Sequence, residues 1–475
     1  MDGRLQAPAG DAWIDLYEPA TGQSCGRVAD SDANDLEQAV AAAQQAQADW
    51  CTAGAEARAS WLHTLANLVE ARAEQLAGAE SADTGKPLAL ARKLDIPRVA
   101  ANLRFFAAAA TQFASESHAM GAAAINYTLR SPLGVVGCIS PWNLPLYLLS
   151  WKVAPALAAG NCVIAKPSEL TPVSAGLFAE LCIEAGLPPG VLNILHGRGP
   201  GIGRLLTEHP AVRAISFTGG TRTGQLIAQA VAPTFRKLSL ELGGKNPSIV
   251  FADCDFERTV EGVARAAFTN QGQVCMCGSR ILVEAPLYER FRDALVARVG
   301  RLKVGDPLEA DTDQGALVSA DHQRKVLEHI ALARAAGGRL LCGGEAVVPA
   351  GERCRDGWFV APTLFEQLPP DCRTNQEEIF GPVATLLPFD TEAQAVELAN
   401  CVPYGLAASI WSRDIGRCHR VAANIEAGVV WVNCWMLRDL RTPLGGTKQS
   451  GIGREGGFEA MRFFTEPKNV CVSYD

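Results

Sequence analysis

From Val135 onward the chain alternates short apolar runs with helix-like ones, and no other feature narrows its fold as much. GVVGCIS is short enough for a strand, PWN is a turn, residues 146–159 read as a helix, and CVIAKPSE is a second strand with its exit loop. The pattern continues with a helix at 172–185, a strand at 191–195, a helix at 201–208, a strand at 213–217 and a helix at 221–231. A second alternating block follows ELGGK, from a strand at 247–251 to one at 429–433, with helices at 255–267, 287–300, 319–336, 391–400 and 414–426 between. Strands alternating with helices imply parallel sheets covered on both faces. In such sheets ligands bind beyond the carboxyl ends of the strands.

The segment before Val135 is different. A hairpin is expected over 12–30, turning at Pro19-Ala-Thr-Gly22. A long helix then opens at Ser31 or Asp32. A second helical pattern ends near Gly85-Lys86-Pro87, and a third carries Ile96, Val99, Leu103 and Phe106 on one side. Residues 123–131 alternate as a strand reaching away from the body, and the tail ends in the strand-like NVCVSY. The expectation is an α/β protein of two doubly wound lobes with mostly parallel sheets and a small β extension.

At 475 residues the chain exceeds what one core supports, and the usual prior is roughly three domains. A formal charge of -8 with no arginine- or lysine-rich block argues against a nucleic-acid groove. The first residues lack a basic region followed by an apolar core, so no secretory signal is expected. Residues 144–165 have the length of a membrane span, but Lys152, Pro155, Gly160 and Asn161 interrupt them, so they read as a buried helix and a buried strand. Fifteen scattered cysteines, no CxxC pair and only seven histidines disfavour a metal site. So many unpaired thiols suit the reducing cytoplasm.

Several motifs carry chemistry. FTNQGQVCMCGSR places Cys275 after a glycine-containing turn behind a helix, where backbone N–H groups can surround a thiol. Glu241 stands between leucines ahead of a Gly-Gly turn, which favours the raised pKa of a general base. Asn143 of PWN sits where a side-chain amide can donate to a developing oxyanion. Lys166 and Glu169 of IAKPSE leave a strand with the cation and carboxylate that an adenosine ribose site needs. FTGGTRTG follows a strand and opens a helix, so its N–H groups suit a pyrophosphate. HGRGPGIG is glycine-dense but a poor dinucleotide fingerprint. EEIFGPV sets Glu378 beside Phe380.

PWN, IAKPSE, FTGG, LELGGKNP, NQGQVC, EEIFGPV and PLGGTKQSGIGRE stand in one order over almost the whole chain. That ordered set resembles the NAD(P)-dependent aldehyde dehydrogenase superfamily. The resemblance implies a cofactor domain of residues 1–114 and 133–243, a catalytic domain of 244–445, and an oligomerisation arm of 115–132 and 459–475 that makes a homo-oligomer, dimer or tetramer. It implies Cys275 as nucleophile, Asn143 and the nucleophile's own N–H as oxyanion donors, and Glu241 as activator of the hydrolytic water. Such a base favours a free acid over transfer to a thiol acceptor. The cofactor positions it carries over are Ser140, Trp142, Lys166, Glu169, Gly199, Phe217, Gly219, Gly220, Gly224, Glu378 and Phe380. Glu169 favours NAD over NADP, because a 2′-phosphate would meet like charge there. Gly220 replaces a serine found in many members, and Leu444 replaces the phenylalanine of PFGG.

A narrower likeness concerns substrate. DIPRVAANLRFF and NCWMLRDLRTP resemble the dehydrogenases of 2-aminomuconate and 2-hydroxymuconate semialdehyde, products of aromatic-ring cleavage. Arg98 and Arg438 match the positions that meet the distal carboxylate, with Arg441 a nearby alternative. Guanidinium suits that role because it binds carboxylates bidentately. Competing expectations are a surface role for Arg98 and a pairing of Arg438 with Asp439. Broad-specificity or betaine aldehyde oxidation, and a non-catalytic homologue, are the alternative functions.

Overall fold

The computed structural model describes residues 1–475. Its first sheet has six strands in the order Gly451–Ile452, Lys237–Glu241, Ala214–Thr218, Val135–Ile139, Cys162–Lys166 and Leu192–Ile194. All neighbours are parallel except the two-residue edge strand, which is antiparallel to Lys237–Glu241. The second sheet has seven strands in the order Arg339–Cys342, Thr363–Glu366, Val383–Phe389, Arg280–Glu284, Pro247–Val250, Ala407–Trp411 and Val429–Val432. Only its Arg339–Cys342 edge is antiparallel. The central strands of both sheets are almost wholly buried, as near-continuous apolar runs require when helices cover both faces.

The first sheet packs with the helices of the first 231 residues around one large core, in which Leu103, Phe106, Trp151, Phe178 and Ile215 are fully or almost fully buried. The second sheet has a core on each face, one around Val263, Phe291 and Ile281, the other around Ile249, Phe389 and Ile410. A smaller cluster holding Val274, Met276, Trp431, Trp435 and Leu444 packs around Cys275.

The alternation expected from sequence is present, with strand limits shifted by a residue or two. The stretch 144–165 is a helix, Pro145–Ala158, and a strand, Cys162–Lys166, and no helix is long and apolar enough to cross a membrane. Asn161, one of its interruptions, accepts from Leu133 and Gly134 N–H and donates to the Ala156 and Phe464 carbonyls, so its burial leaves nothing unpaired. Asp32 opens the first long helix, Ala33–Thr52, through a reciprocal capping box with Asp35. The pattern expected to run as one helix to Gly85 is broken at Arg72 into Gly54–Ala71 and Ala73–Thr84, because Arg72 leaves helical geometry.

A three-stranded antiparallel sheet, Thr465–Ser473, Ala124–Pro132 and Ser117–Met120, stands apart from the two lobes, with most residues of its outer strands exposed. Just before it, Ala460, Met461 and Phe464 pack into the first core from a short helix, Gly457–Phe463.

Candidate active site

The lobes are joined beside the Cys275 loop. Strand Lys237–Glu241 ends at the carboxyl edge of the first sheet, LGGKN crosses over, and Pro247–Val250 begins at the amino edge of the second. Gly244 approaches the Cys275 loop so closely that a Cβ there would lie 2.7 Å from the Cys275 carbonyl oxygen. Asn246, two residues on, donates from Nδ2 to the Cys275 and Cys277 carbonyls at 2.7 and 2.9 Å and accepts from Ala407 N–H. The loop between helix Phe256–Phe268 and Cys275 turns through three consecutive left-handed residues, Asn270, Gln271 and Gly272. Only one of these is glycine, so the turn stores strain. It is held by amides: Gln271 donates to the Ala316 carbonyl at 2.9 Å and Asn270 to the Asn143 and Gln273 carbonyls at 3.2 Å each. Cys275 is left half-buried, and its N–H has no acceptor.

Asn143 is 3 % exposed and directs Nδ2 to the Gln273 carbonyl at 2.9 Å, which brings it onto the Cys275 loop and leaves its second N–H free. Its own carbonyl is fixed from behind by Lys86 Nζ at 2.9 Å. Lys86 is in turn paired with Asp95 at 2.5 Å, both side chains fully buried, and Asp95 ends the π-helical turn Ala91–Asp95 that precedes the Arg98 helix.

Glu241 is 6 % exposed and its Oε1 has no partner. Burial first, and Glu455 second, push its carboxyl well above the usual range, against Lys152, Arg454 and Arg438. A buried pair, Lys152 with Glu455 at 2.6 Å, is bridged by the Ser216 hydroxyl. Burial also raises the Cys275 thiol, helped by Glu378, Glu241 and Cys277 and opposed by Arg438. Glu241, Glu378 and Arg438 are therefore all close enough to the thiol to act on it electrostatically. Glu378 accepts from Gly244 N–H at 2.9 Å, and burial lifts it to about 7. Lys245 is lowered to about 7 by burial and then by Arg280, with Glu378 opposing.

The crevice for a dinucleotide is set by topology. From Val135–Ile139 the chain builds outward through Cys162–Lys166 to Leu192–Ile194, then returns to place Ala214–Thr218 on the other side of the starting strand. A switch in direction of this kind opens a crevice beyond the strand ends, here between Ser140 and Gly219. Ser140, Thr218 and Thr221 present buried hydroxyls with no partner. Helix Thr221–Val231 starts without a side-chain cap, and the space where a Gly220 Cβ would stand is open. Free N–H groups at a helix start suit a pyrophosphate, so these residues fit the cofactor. On one flank Lys166 pairs with Glu169 at 2.8 Å and Gly199 N–H donates to the same carboxylate at 3.3 Å. Burial alone would raise Glu169, but Lys166 and these hydrogen bonds hold it below its ordinary value. On the other flank Trp142 meets Phe380 edge to face at 5.1 Å and His322 at 5.2 Å. Phe217 folds over Gly219, where a Cβ would lie 2.4 Å from its ring. At Gly224 a Cβ would lie 2.5 Å from Leu242, so the helix packs closely against the residue that follows strand Lys237–Glu241.

Arg98 and Arg438 line one cleft of about 1030 Å³ together with Phe105 and Leu444. Arg438 donates to the Tyr147 hydroxyl at 2.9 Å, and Arg98 lies 5.9 Å over the Tyr147 ring. Asp439 pairs with Arg441, not Arg438. Leu444 packs in the same cluster as Cys275 and exchanges two 2.7 Å backbone hydrogen bonds with Glu455.

Sequence reasoning missed Asn246, Lys86, Asp95, Lys152, Glu455 and His322. The signals were faint: Lys152 as a charge inside an apolar run, Asn246 and Glu455 inside motifs whose other members drew attention.

The aldehyde dehydrogenase family model matches residues 6–470. The chain is 49% identical over 465 residues to 2-aminomuconic semialdehyde dehydrogenase of Danio rerio, spanning 97% of this chain and 95% of the relative. It is 46% identical over 478 residues to 2-hydroxymuconic semialdehyde dehydrogenase of Pseudomonas sp. (strain CF600), spanning 99% and 98%. PnpE of Pseudomonas sp. WBC-3 superposes with a TM-score of 0.97 at 40% identity, covering 100% of this chain and 97% of PnpE, and is also solved in complex with nicotinamide adenine dinucleotide. With the crevice, the uncapped helix, the half-buried thiol and the carboxylates acting on it in place, the chain belongs to the aldehyde dehydrogenase family and is an NAD-dependent enzyme that oxidises aldehydes.

Proposed function

We propose that this enzyme oxidises 2-aminomuconate or 2-hydroxymuconate semialdehyde to the free acid, in the breakdown of aromatic compounds, with Cys275, Glu241 and Asn143 as its catalytic residues. The observation that carries the reading is Arg438: it has no acidic partner, yet it lies near enough to Cys275 and Glu241 to pull both pKa values down. A cation without a counterion beside the reacting thiol suits a substrate that brings its own carboxylate. Arg98, on the same cleft, is the second guanidinium for that group.

The chemistry runs in two halves. Cys275 Sγ, its proton released to solvent, bonds the aldehyde carbon as the C=O π pair moves onto oxygen. The carbonyl oxygen, now negative, takes the free N–H of Asn143 and the N–H of Cys275, donors oriented before the charge appears. NAD, held by Lys166, Glu169 and the start of helix Thr221–Val231, supplies the hydride acceptor when bound. Loss of hydride leaves a thioester on Cys275. Glu241, whose raised pKa makes it the stronger base, takes a proton from water, whose oxygen bonds the acyl carbon as the C–S bond breaks, and that proton returns to the departing Cys275 sulfur.

The exposed three-stranded sheet supports a homo-oligomer, dimer or tetramer, because an outer strand such as Thr465–Ser473 leaves main-chain groups for another copy to pair. A cytoplasmic setting agrees with fifteen cysteines that are all free.

The test is NADH formation with 2-hydroxymuconate semialdehyde, 2-aminomuconate semialdehyde and a neutral aliphatic aldehyde, in the wild type and in Arg438→Ala. A lost charge-assisted hydrogen bond is worth about 1.5–3 kcal/mol, roughly tenfold to a hundredfold. KM for the two semialdehydes should rise by that factor and far less for the neutral aldehyde. Equal changes for all three would refute the substrate reading.

A further inference from the structure

We propose that Tyr147 is a positioning residue that holds both guanidiniums of the carboxylate site and thereby sets the preference for anionic over neutral aldehydes. The proposal deepens the substrate reading above and rests on it.

Helix Pro145–Ala158 begins directly after the turn bearing Asn143, and Tyr147 and Trp151 lie one turn apart on it, each 2 % exposed. Each ring carries one arginine: Arg98 stands 5.9 Å over the Tyr147 centroid, and Arg438 stands 5.3 Å over Trp151. Both separations lie within cation–π range. The Tyr147 hydroxyl is also the one hydrogen-bond partner of the Arg438 guanidinium, at 2.9 Å. The platform beneath is fixed. Asn102, one turn from Arg98 on helix Ile96–Gln112, donates to the Tyr147 carbonyl at 3.3 Å and to the Ser150 hydroxyl at 3.0 Å, and Phe106 meets Trp151 edge to face at 5.7 Å.

Neither arginine has a carboxylate within 4.0 Å, whereas their neighbour Arg441 is paired with Asp439. Two like charges share one cleft, so each favours moving off toward solvent. What opposes that is the Tyr147 ring face for Arg98 and, for Arg438, the Trp151 ring face together with the Tyr147 phenol oxygen, so Tyr147 is the residue that touches both. The substrate carboxylate then meets two guanidiniums already oriented, rather than two flexible side chains that must be ordered on binding.

The experiment measures the ratio of kcat/KM for 2-hydroxymuconate semialdehyde to that for butanal in wild type, Tyr147→Phe, Tyr147→Leu, Arg438→Ala and the Tyr147→Phe/Arg438→Ala double variant. Tyr147→Phe keeps the ring under Arg98 and removes the hydroxyl. It should lower the ratio about tenfold, chiefly through KM. Tyr147→Leu should lower it further, because Arg98 loses its ring as well. In the Arg438→Ala background the Phe substitution should change nothing more, since the hydroxyl acts through Arg438. An unchanged ratio in Tyr147→Phe beside a collapsed ratio in Arg438→Ala overturns this proposal alone. An equal fall from Tyr147→Phe with and without Arg438 also overturns it, because the hydroxyl would then act by another route. An unchanged ratio in Arg438→Ala overturns the substrate reading and this proposal with it.

Discussion

Replacing Lys86 with methionine separates the stability of this site from its catalysis. Lys86 and Asp95 are both fully buried and 2.5 Å apart, and Lys86 also donates to the Asn143 carbonyl at 2.9 Å. Asp95 Oδ1 already lacks a partner, and its other oxygen would lose its cation. Breaking one side of a buried pair costs about 3–5 kcal/mol, because the remaining charge is uncompensated. The catalytic effect is smaller. The Asn143 carbonyl keeps its bond from Asn270 at 3.2 Å, so the turn is loosened but not freed. Complete loss of one oxyanion donor costs about 10²–10³ in kcat, and partial misplacement should cost about tenfold. KM should hold, since that contact matters in the transition state. Denaturant midpoints and steady-state NADH formation read the two effects. The double variant Lys86→Met/Asp95→Leu completes the test. Removing both charges should restore most of the stability, while kcat should stay low because the Asn143 carbonyl still lacks its donor. A Lys86→Met enzyme with full kcat, or a double variant that regains kcat together with stability, would refute the argument.

Other predictions follow from the same geometry. Glu169→Gln removes the carboxylate that repels a 2′-phosphate and leaves Lys166 without its 2.8 Å partner. The kcat/KM ratio of NADP to NAD should rise at least about tenfold, and an unchanged ratio would show that another group excludes NADP. Glu378→Gln should alter the pH dependence of stability. Burial raises Glu378 to about 7 in the folded state, so the stability contributed by its protonated form is complete below its unfolded pKa of about 4.3. That contribution is lost as pH rises through about 7. The variant should therefore gain on the wild type between those limits and hold a constant lead above them, measured as denaturant midpoints at pH 5, 6, 7 and 8. A constant difference at all four would contradict the burial argument.

Much of this fold was legible because its strands announce themselves. Runs such as VVGCI and CVIAK are apolar throughout, and helices separate them at regular spacing. What stayed hidden depends on partners far away in sequence. Gly451–Ile452 is a strand only because it lies antiparallel to Leu240 and Glu241, and two residues carry no pattern of their own. Arg339–Cys342 is half-exposed and pairs antiparallel at a sheet edge, so it lacks the run that marked the others. Within the site, Cys275, Glu241 and Asn143 stood out by residue type and neighbours. The supports did not: a lysine reads as surface until its acid is known, and Lys86 and Lys152 owe their burial to Asp95 and Glu455. Lys152 did leave a trace, as the charge that broke the 144–165 apolar stretch. The strain at Asn270 and Gln271 had no such trace, since nothing in NQG specifies two left-handed residues before the glycine.

The central claim is that Cys275 and Glu241 serve the two halves of one reaction, and peptide mass spectrometry of Glu241→Gln tests it most directly. Mixed with NAD and 2-hydroxymuconate semialdehyde, quenched in acid and digested, the variant should carry the acyl group on the Cys275 peptide, in an amount close to one per chain, because hydrolysis has lost its base. Wild type treated in the same way should carry little. An adduct on a different cysteine, or a variant that turns over at the wild-type rate without accumulating one, would contradict the account.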